Sequence, residues 1–247
     1  MSHWIEGRIV GKRSWTDNLF SLRIDAPVGD FTAGQFTQLA LDIDGERIGR
    51  PYSFVNGPDE RPLEFHFITI PRGPLTDRLQ CLDTGDRIWI SARPAGHFTL
   101  AGIRDAEHLW LMATGTALGV FLSLLKTDEI WQRFGRVILV HAARTLAELT
   151  YREEIEGFGA RHPEQFDYVP FVSREETQFA IRDRIPNAIA DGRLAAAADA
   201  PLHPSSSQVM LCGNPGMVRD TTRVLEERGF TRNLRKSPGN ITSEHYW

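Results

Sequence analysis

Between Leu63 and Ile70 the chain reads LEFHFITI, with Leu63, Phe65 and Phe67 on one side of an alternating pattern. Period-two alternation marks a half-buried strand. Leu39, Leu41 and Ile43 alternate in the same way and run into Asp44-Gly45, a dipeptide that favours a two-residue hairpin turn. TGDRIWISA repeats the scheme, with a turn at Gly85-Asp86 and Ile88 and Ile90 on one face. Short alternating strands punctuated by Gly and Pro predict a small antiparallel barrel or sandwich for the first hundred residues.

The pattern changes after SARPAGHFTLAGIRD, whose Pro94, Gly96 and Gly102 mark a boundary near residue 100. Beyond it, the apolar runs HLWLMA, RVILVHA, FDYVPFV and QVMLC read as buried strands. Leu118, Phe121, Leu122 and Leu125 carry the spacing of a helix face. Asn214-Pro215 offers an N-cap and a first-turn proline to a helix through MVRDTTRVLEER, which Gly229 can end. Strands alternating with helices predict a parallel α/β sheet, a common platform for nucleotides. The expected division is therefore 1–101 and 102–247. LAAAADAPLHPSSS reads as an exposed loop or a fraying helix end, and no internal repeat is visible.

Composition narrows this picture only a little. The 247 residues are 41% hydrophobic and 24% charged, which suits two globular domains rather than a disordered chain. A net charge of -4 provides no global attraction to nucleic acid or an anionic membrane. Cys81 and Cys212 form no CxxC or Cys/His pattern, so no metal site is expected, and reduced cytoplasmic thiols fit best. The N-terminal MSHWIEGRIVGKRSW has no apolar core of a signal peptide. The uncharged stretch Leu109 to Leu125 is shorter than the roughly 20 residues of a spanning helix and reads as strand, glycine turn and helix, so membrane insertion is not expected.

Candidate chemistry gathers where strands give way to helices. ATGTALG, Ala113 to Gly119, is either a tight turn or a loop whose Gly115 and Gly119 let backbone amides approach a pyrophosphate at a helix N-terminus. CGNP, Cys212 to Pro215, has the same strand, turn and capped-helix arrangement. Arg144, Arg174 and Arg184 follow the middle apolar runs. They are either solvated surface arginines or a set of bidentate donors suited to a phosphate. Neither His66, His97, His141 nor His245 has a partner pattern that marks a catalytic base.

Taken together, RPYSF at Arg50 to Phe54, the TGT turn, CGNP and the aromatic ending resemble the ferredoxin–NADP reductase superfamily. RPYSFVN, the VSR at Val172 to Arg174 and the ending EHYW are similar to the bacterial flavodoxin/ferredoxin–NADP reductases, and the likeness runs through the whole chain. It implies an N-terminal antiparallel β-barrel holding FAD and a C-terminal α/β domain holding NADPH. The implied activity is electron transfer between NADPH and ferredoxin or flavodoxin, by a cytoplasmic monomer. It also implies that Arg50 binds the FAD pyrophosphate, Tyr52 stacks on the flavin and Ser53 hydrogen-bonds near N5, with Pro51 beside them. The segments His66, Phe67, Ile68 and Thr69, and Leu75 with Thr76, line the FAD phosphates in the same likeness. Thr116 matches the turn between flavin and nicotinamide, and Arg144, Ser173, Arg174, Arg184 and Gly213 match the NADP site. Ser53, Cys212, Glu244 and Tyr246 are the implied catalytic set, acting by hydrogen bonding and positioning.

Under the same likeness Tyr246 covers the flavin face that nicotinamide must reach, and Trp247 anchors the tail on FAD. Ala117 and Val120 depart from the Gly and Pro of many relatives, which bears on the width of the nicotinamide pocket. The alternative on this fold is an NAD(P)H-dependent flavin reductase or an oxygenase reductase component. Arg228, Arg232, Arg235 and Lys236 form the densest basic cluster, readable as a carrier surface or as a solvated helix end.

Overall fold

Strong alternation in the first part of the chain produces strands that all pair antiparallel. The computed structural model describes residues 3–70 and 72–245, the last of these in its backbone only. The strands are β1 (Trp4–Thr16), β2 (Leu19–Asp25), β3 (Phe36–Ile43), β4 (Glu46–Ser53), β5 (Leu63–Ile68) and β6 (Arg87–Ser91), with the one-turn helix α1 (Thr76–Leu79) before β6. Their order is β4-β3-β6-β1-β2-β5. A bridge between Phe54 and Phe65, with the Val55 N–H donating to the Glu64 carbonyl at 3.0 Å, closes the last strand onto the first and makes the sheet a barrel. Asp44 (φ 52°) and Gly45 (φ 86°) both take positive φ, the geometry a two-residue hairpin between β3 and β4 requires.

Leu22, Ile24, Leu39, Leu63, Phe65 and Ile90 fill the barrel, each wholly buried. The residues expected to alternate inward from β3, β5 and β6 therefore do so, except that Leu41 and Ile43 are only half-buried near the hairpin. Leu122–Thr127 group with this first unit. Ser123 Oγ donates to the Asn56 carbonyl at 2.9 Å, and Lys126 pairs with Glu60 at 3.2 Å.

The second unit comprises Ala101–Phe121 and the chain from Asp128 onward. Its elements are β7 (Ala106–Thr114), the first half of α2 (Leu118–Leu125), α3 (Asp128–Arg133), β8 (Phe134–Ala143), α4 (Arg152–Arg161), β9 (Phe166–Val172), α5 (Ile185–Ala190), α6 (Arg193–Ala197), β10 (Ser207–Gly213), α7 (Pro215–Glu226) and β11 (Ile241–His245). The sheet order is β11-β10-β7-β8-β9, and every pairing is parallel. The chain moves outward from β7 through β8 to β9, then returns to lay β10 on the other side of β7. That reversal creates a switch point between β7 and β10, the place where open α/β sheets leave a crevice at the strand carboxyl ends.

Burial on both faces explains the unbroken apolar runs of β7, β8 and β10. Trp110, Met112, Ile138, Val140, Val209 and Leu211 pack on one face against Ile185, Ile189 and Leu225. Helix α7 starts as its sequence predicts: the Asn214 side chain accepts from Gly216 N at 2.8 Å and Met217 N at 3.3 Å, and Pro215 occupies the first turn. The alanine-rich segment is a helix end that runs into a partly exposed loop. It opens with α6, and Leu194, Ala198 and Ala200 lie in the core, because methyl side chains let a short helix approach its neighbours closely. The polar strand β11 adds an edge to β10, with Val209 opposite Ile241 and Cys212 opposite Glu244.

Candidate functional site: two cofactor surfaces

In the barrel, β4 carries Arg50, Pro51, Tyr52 and Ser53 along its pairing with β3. Arg50 is exposed, and among the described residues its guanidinium donates only to the neighbouring Gly49 carbonyl at 2.7 Å, which leaves other N–H groups for an anion. Tyr52 stands edge-on to Phe67, with ring centroids 6.2 Å apart. Burial pushes its phenol up to about 12, against a smaller opposing pull from Arg50, so the ring is a neutral aromatic surface at ordinary pH.

The 66–69 segment alternates. Phe67 points inward and stacks on Phe20, while His66 is buried on the other side. His66 Nδ1 lies 3.0 Å from both Ser21 Oγ and the Phe20 carbonyl. Ile68 and Thr69 are half-buried, and Thr69 N donates to the Asn18 carbonyl at 2.8 Å. Leu75 is in the barrel core, so only its backbone can face a ligand. Thr76 Oγ1 accepts from Ile70 N at 3.1 Å and so shapes the turn ahead of α1.

In the sheet unit, the cofactor-type turns lie at the switch point. Gly115 takes φ +55°, and a Cβ built there would meet no atom within 4 Å. The turn Gly115–Ala117 leads into α2 with Thr116 buried in it, while Gly119 is buried inside the helix rather than at its mouth. Gly213 takes φ +137°, and a Cβ there would collide with Thr114 Oγ1. Register places Glu244, Cys212, Ala113, His141 and Pro170 on one rung of the sheet. His141 is wholly buried. Neither ring nitrogen finds a hydrogen-bond partner among the described residues, and burial pulls its pKa down to about 4 against a weaker opposing influence of the Gly115 backbone.

The three arginines come together in part. Arg174 N donates to the Arg144 carbonyl at 2.9 Å, and Ser173 N to the Ala143 carbonyl at 3.1 Å, so the loops after β8 and β9 are tied side by side. Ile181 exchanges hydrogen bonds with Pro170 and Val172, which brings the segment leading to Arg184 back along β9. Arg144, Arg174 and Arg184 are exposed, and none has a carboxylate partner among the described residues. Their neighbours are engaged: Arg182 with Glu176, and Arg193 with Asp183 and Asp191. Glu148 and Glu175 brace the loop by accepting from Arg144 N (2.9 Å) and Leu146 N (2.6 Å).

The basic cluster lies elsewhere. Arg232 bridges to Ile241 at the start of β11, so it sits about 13 Å of strand from the carboxyl-end turns. Arg232 is paired with Glu226, and Arg228 donates to the Ala190 carbonyl. Tyr246 and Trp247 lie outside the described residues. Among those described, no group of His, Cys, Asp and Glu could hold a metal ion.

These surfaces have counterparts in known proteins. The oxidoreductase FAD-binding domain matches residues 10–100, and the oxidoreductase NAD-binding domain matches residues 111–223. The flavodoxin/ferredoxin–NADP reductases of Shigella flexneri and Escherichia coli (strain K12) are 46% and 45% identical over 248 residues, covering 100% of each chain. The crystal structure of a ferredoxin NADP+ reductase from Neisseria gonorrhoeae with bound FAD and NADP superposes with a TM-score of 0.94 at 28% identity, covering 99% of both chains.

Proposed function

Because the chain belongs to the flavodoxin/ferredoxin–NADP reductase family, we propose that its two surfaces hold FAD and NADPH, with the barrel 1–101 as the FAD domain and 102–247 as the NADP domain. The protein is an FAD-dependent oxidoreductase that moves electrons between NADPH and ferredoxin or flavodoxin. FAD, when bound, supplies the chemistry: it accepts a hydride from NADPH and passes electrons on singly.

The residues present suit FAD. Arg50 can turn the N–H groups not used on the Gly49 carbonyl to a pyrophosphate, and Tyr52 offers a neutral ring fixed against Phe67. Pro51 and Ser53 extend the same strand, and Ser53 is proposed to hydrogen-bond the ring. The His66 to Thr69 segment and Leu75-Thr76 supply backbone groups to the phosphates. Thr116 and Gly213 border the switch-point crevice, and Ser173 steadies the arginine loops. Cys212 and Glu244, neighbours across β10 and β11, orient the reacting groups. Tyr246, next in sequence after β11, is proposed to cover the flavin face that nicotinamide must reach, and Trp247 to contact FAD.

One observation carries the choice of NADPH. Among the described residues Arg144, Arg174 and Arg184 have no carboxylate partner, although Asp and Glu residues nearby pair with Arg182 and Arg193. Three free guanidiniums next to the carboxyl ends of parallel strands are suited to a 2′-phosphate. We assign the protein to the cytoplasm as a monomer; its two cysteines, Cys81 exposed and Cys212 buried, are not joined in a disulfide, which fits a reducing compartment. Among the described residues no helix is long and apolar enough to cross a membrane.

The test is anaerobic bleaching of the flavin by NADPH and by NADH in the wild type and in Arg174→Ala. NADPH should act at a much lower concentration in the wild type, and the substitution should remove most of that preference. Equal action of the two nucleotides on the wild type would refute the NADPH assignment.

A further inference from the structure

We propose that Thr114 is a positioning residue for the nicotinamide dinucleotide, its hydroxyl holding the Gly115–Ala117 turn in register with the Gly213–Asn214 turn. This inference rests on the NADPH reading above.

The ladder between β7 and β10 ends with Ala113 opposite Cys212. One residue further on, a side chain takes over from the backbone: Asn214 N donates to Thr114 Oγ1 at 2.8 Å, across a hundred residues of sequence. Gly213 makes this approach feasible. Its φ of +137° belongs to a region that side chains avoid, and a Cβ there would fall onto the Thr114 hydroxyl and lie 3.0 Å from Thr114 N. The hydroxyl therefore occupies the space that glycine vacates.

Asn214 is also the cap of α7, accepting from Gly216 N and Met217 N, while its own carbonyl accepts from Val218 N at 3.0 Å. Thr114 thus connects two things with one bond. On one side is the turn that carries Gly115, open to approach, and Thr116; on the other is the first turn of α7. Both flank the switch point, where a shift of one turn against the other changes the gap a ligand must span. Valine has the shape of threonine without the acceptor, so Thr114→Val would leave Asn214 N–H unpaired beside the gap. Serine restores the acceptor with a smaller side chain.

The experiment compares wild type, Thr114→Val and Thr114→Ser as full-length FAD-loaded proteins. It reads the concentration dependence of flavin bleaching by NADPH, FAD content, and hydrogen exchange of the peptide spanning residues 212–218 before nucleotide is added. The expected result for Thr114→Val is about a tenfold higher half-saturating NADPH concentration, unchanged FAD content and faster exchange at Asn214. Thr114→Ser should return both NADPH and exchange readouts to within about twofold of wild type.

Wild-type NADPH affinity in Thr114→Val, or equal impairment in valine and serine variants, would overturn the inference. The exchange readout serves even if Thr114→Val turns over too slowly to titrate, since unchanged exchange at Asn214 also overturns it. Arg174→Ala is the control on the underlying reading. Loss of NADPH preference there with normal NADPH affinity in Thr114→Val removes only the role of Thr114, whereas no loss in Arg174→Ala removes the NADPH reading and this inference together.

Discussion

Replacing His141 tests whether the interior beneath the Gly115 turn is sealed against protons. The imidazole is wholly buried on β8, its nitrogens are without partners among the described residues, and its pKa falls from 6.5 to about 4. In the unfolded chain the same ring titrates near its ordinary value. As pH drops through about 6.5 the unfolded state takes up a proton that the folded state refuses, so stability falls, and the fall levels off below about pH 4 where both states are protonated. The separation of about 2.5 pK units corresponds to about 3 kcal/mol in total, of which about 2 kcal/mol is lost between about pH 7 and about pH 5. His141→Leu keeps an apolar side chain of similar size and removes the titration. Urea unfolding followed by circular dichroism and tryptophan fluorescence, at both pH values, should give the variant a shallower pH dependence by about 2 kcal/mol. Identical pH dependence in variant and wild type would mean that His141 protonates in place, and the argument from burial would fail.

Other outcomes follow from the same geometry. Tyr52→Ala removes the ring held against Phe67 and should lose FAD on gel filtration where the wild type retains it; equal retention would refute the stacking role. Gly213→Ala forces a side chain into φ +137° against Thr114 and should cost about 2 kcal/mol or more, read as a lower urea midpoint. Asn214→Ala deletes the cap of α7 and should cost about 1 kcal/mol; a loss of only a few tenths would mean that water satisfies Gly216 and Met217 as well.

What could be read ahead of the structure had a local cause. Alternation from Leu63 to Phe67, the Asp44-Gly45 turn and the Asn214-Pro215 start each fix their geometry within a few residues, and each has the expected form. The alanines around α6 escaped because methyl groups on every side show no hydrophobic face, although Leu194, Ala198 and Ala200 are buried. Strand β11 escaped because Thr242, Ser243 and Glu244 have no apolar contrast; it is held by its backbone pairing with β10. At the sites, the types and rough places of the arginines were legible, but their availability was not. That depends on which carboxylates fold back onto Arg182 and Arg193 rather than onto Arg174. The bond between Thr114 and Asn214 and the isolation of His141 were equally hidden, because both depend on strands far apart in sequence.

The strand order also sets a timetable for synthesis. β7 is the middle of its sheet, yet the partner for one of its edges, β10, begins at Ser207, long after β7 ends at Thr114. At about 5–20 residues per second a ribosome needs on the order of 5–20 s to cover that interval. Once β9 has ended at Val172, and until β10 is made, the nascent sheet of β7, β8 and β9 presents the backbone edge of a strand with an apolar centre, the kind of edge that recruits other chains. Slowing translation between β9 and β10 should therefore reduce the yield of soluble protein while leaving the activity of each folded molecule unchanged.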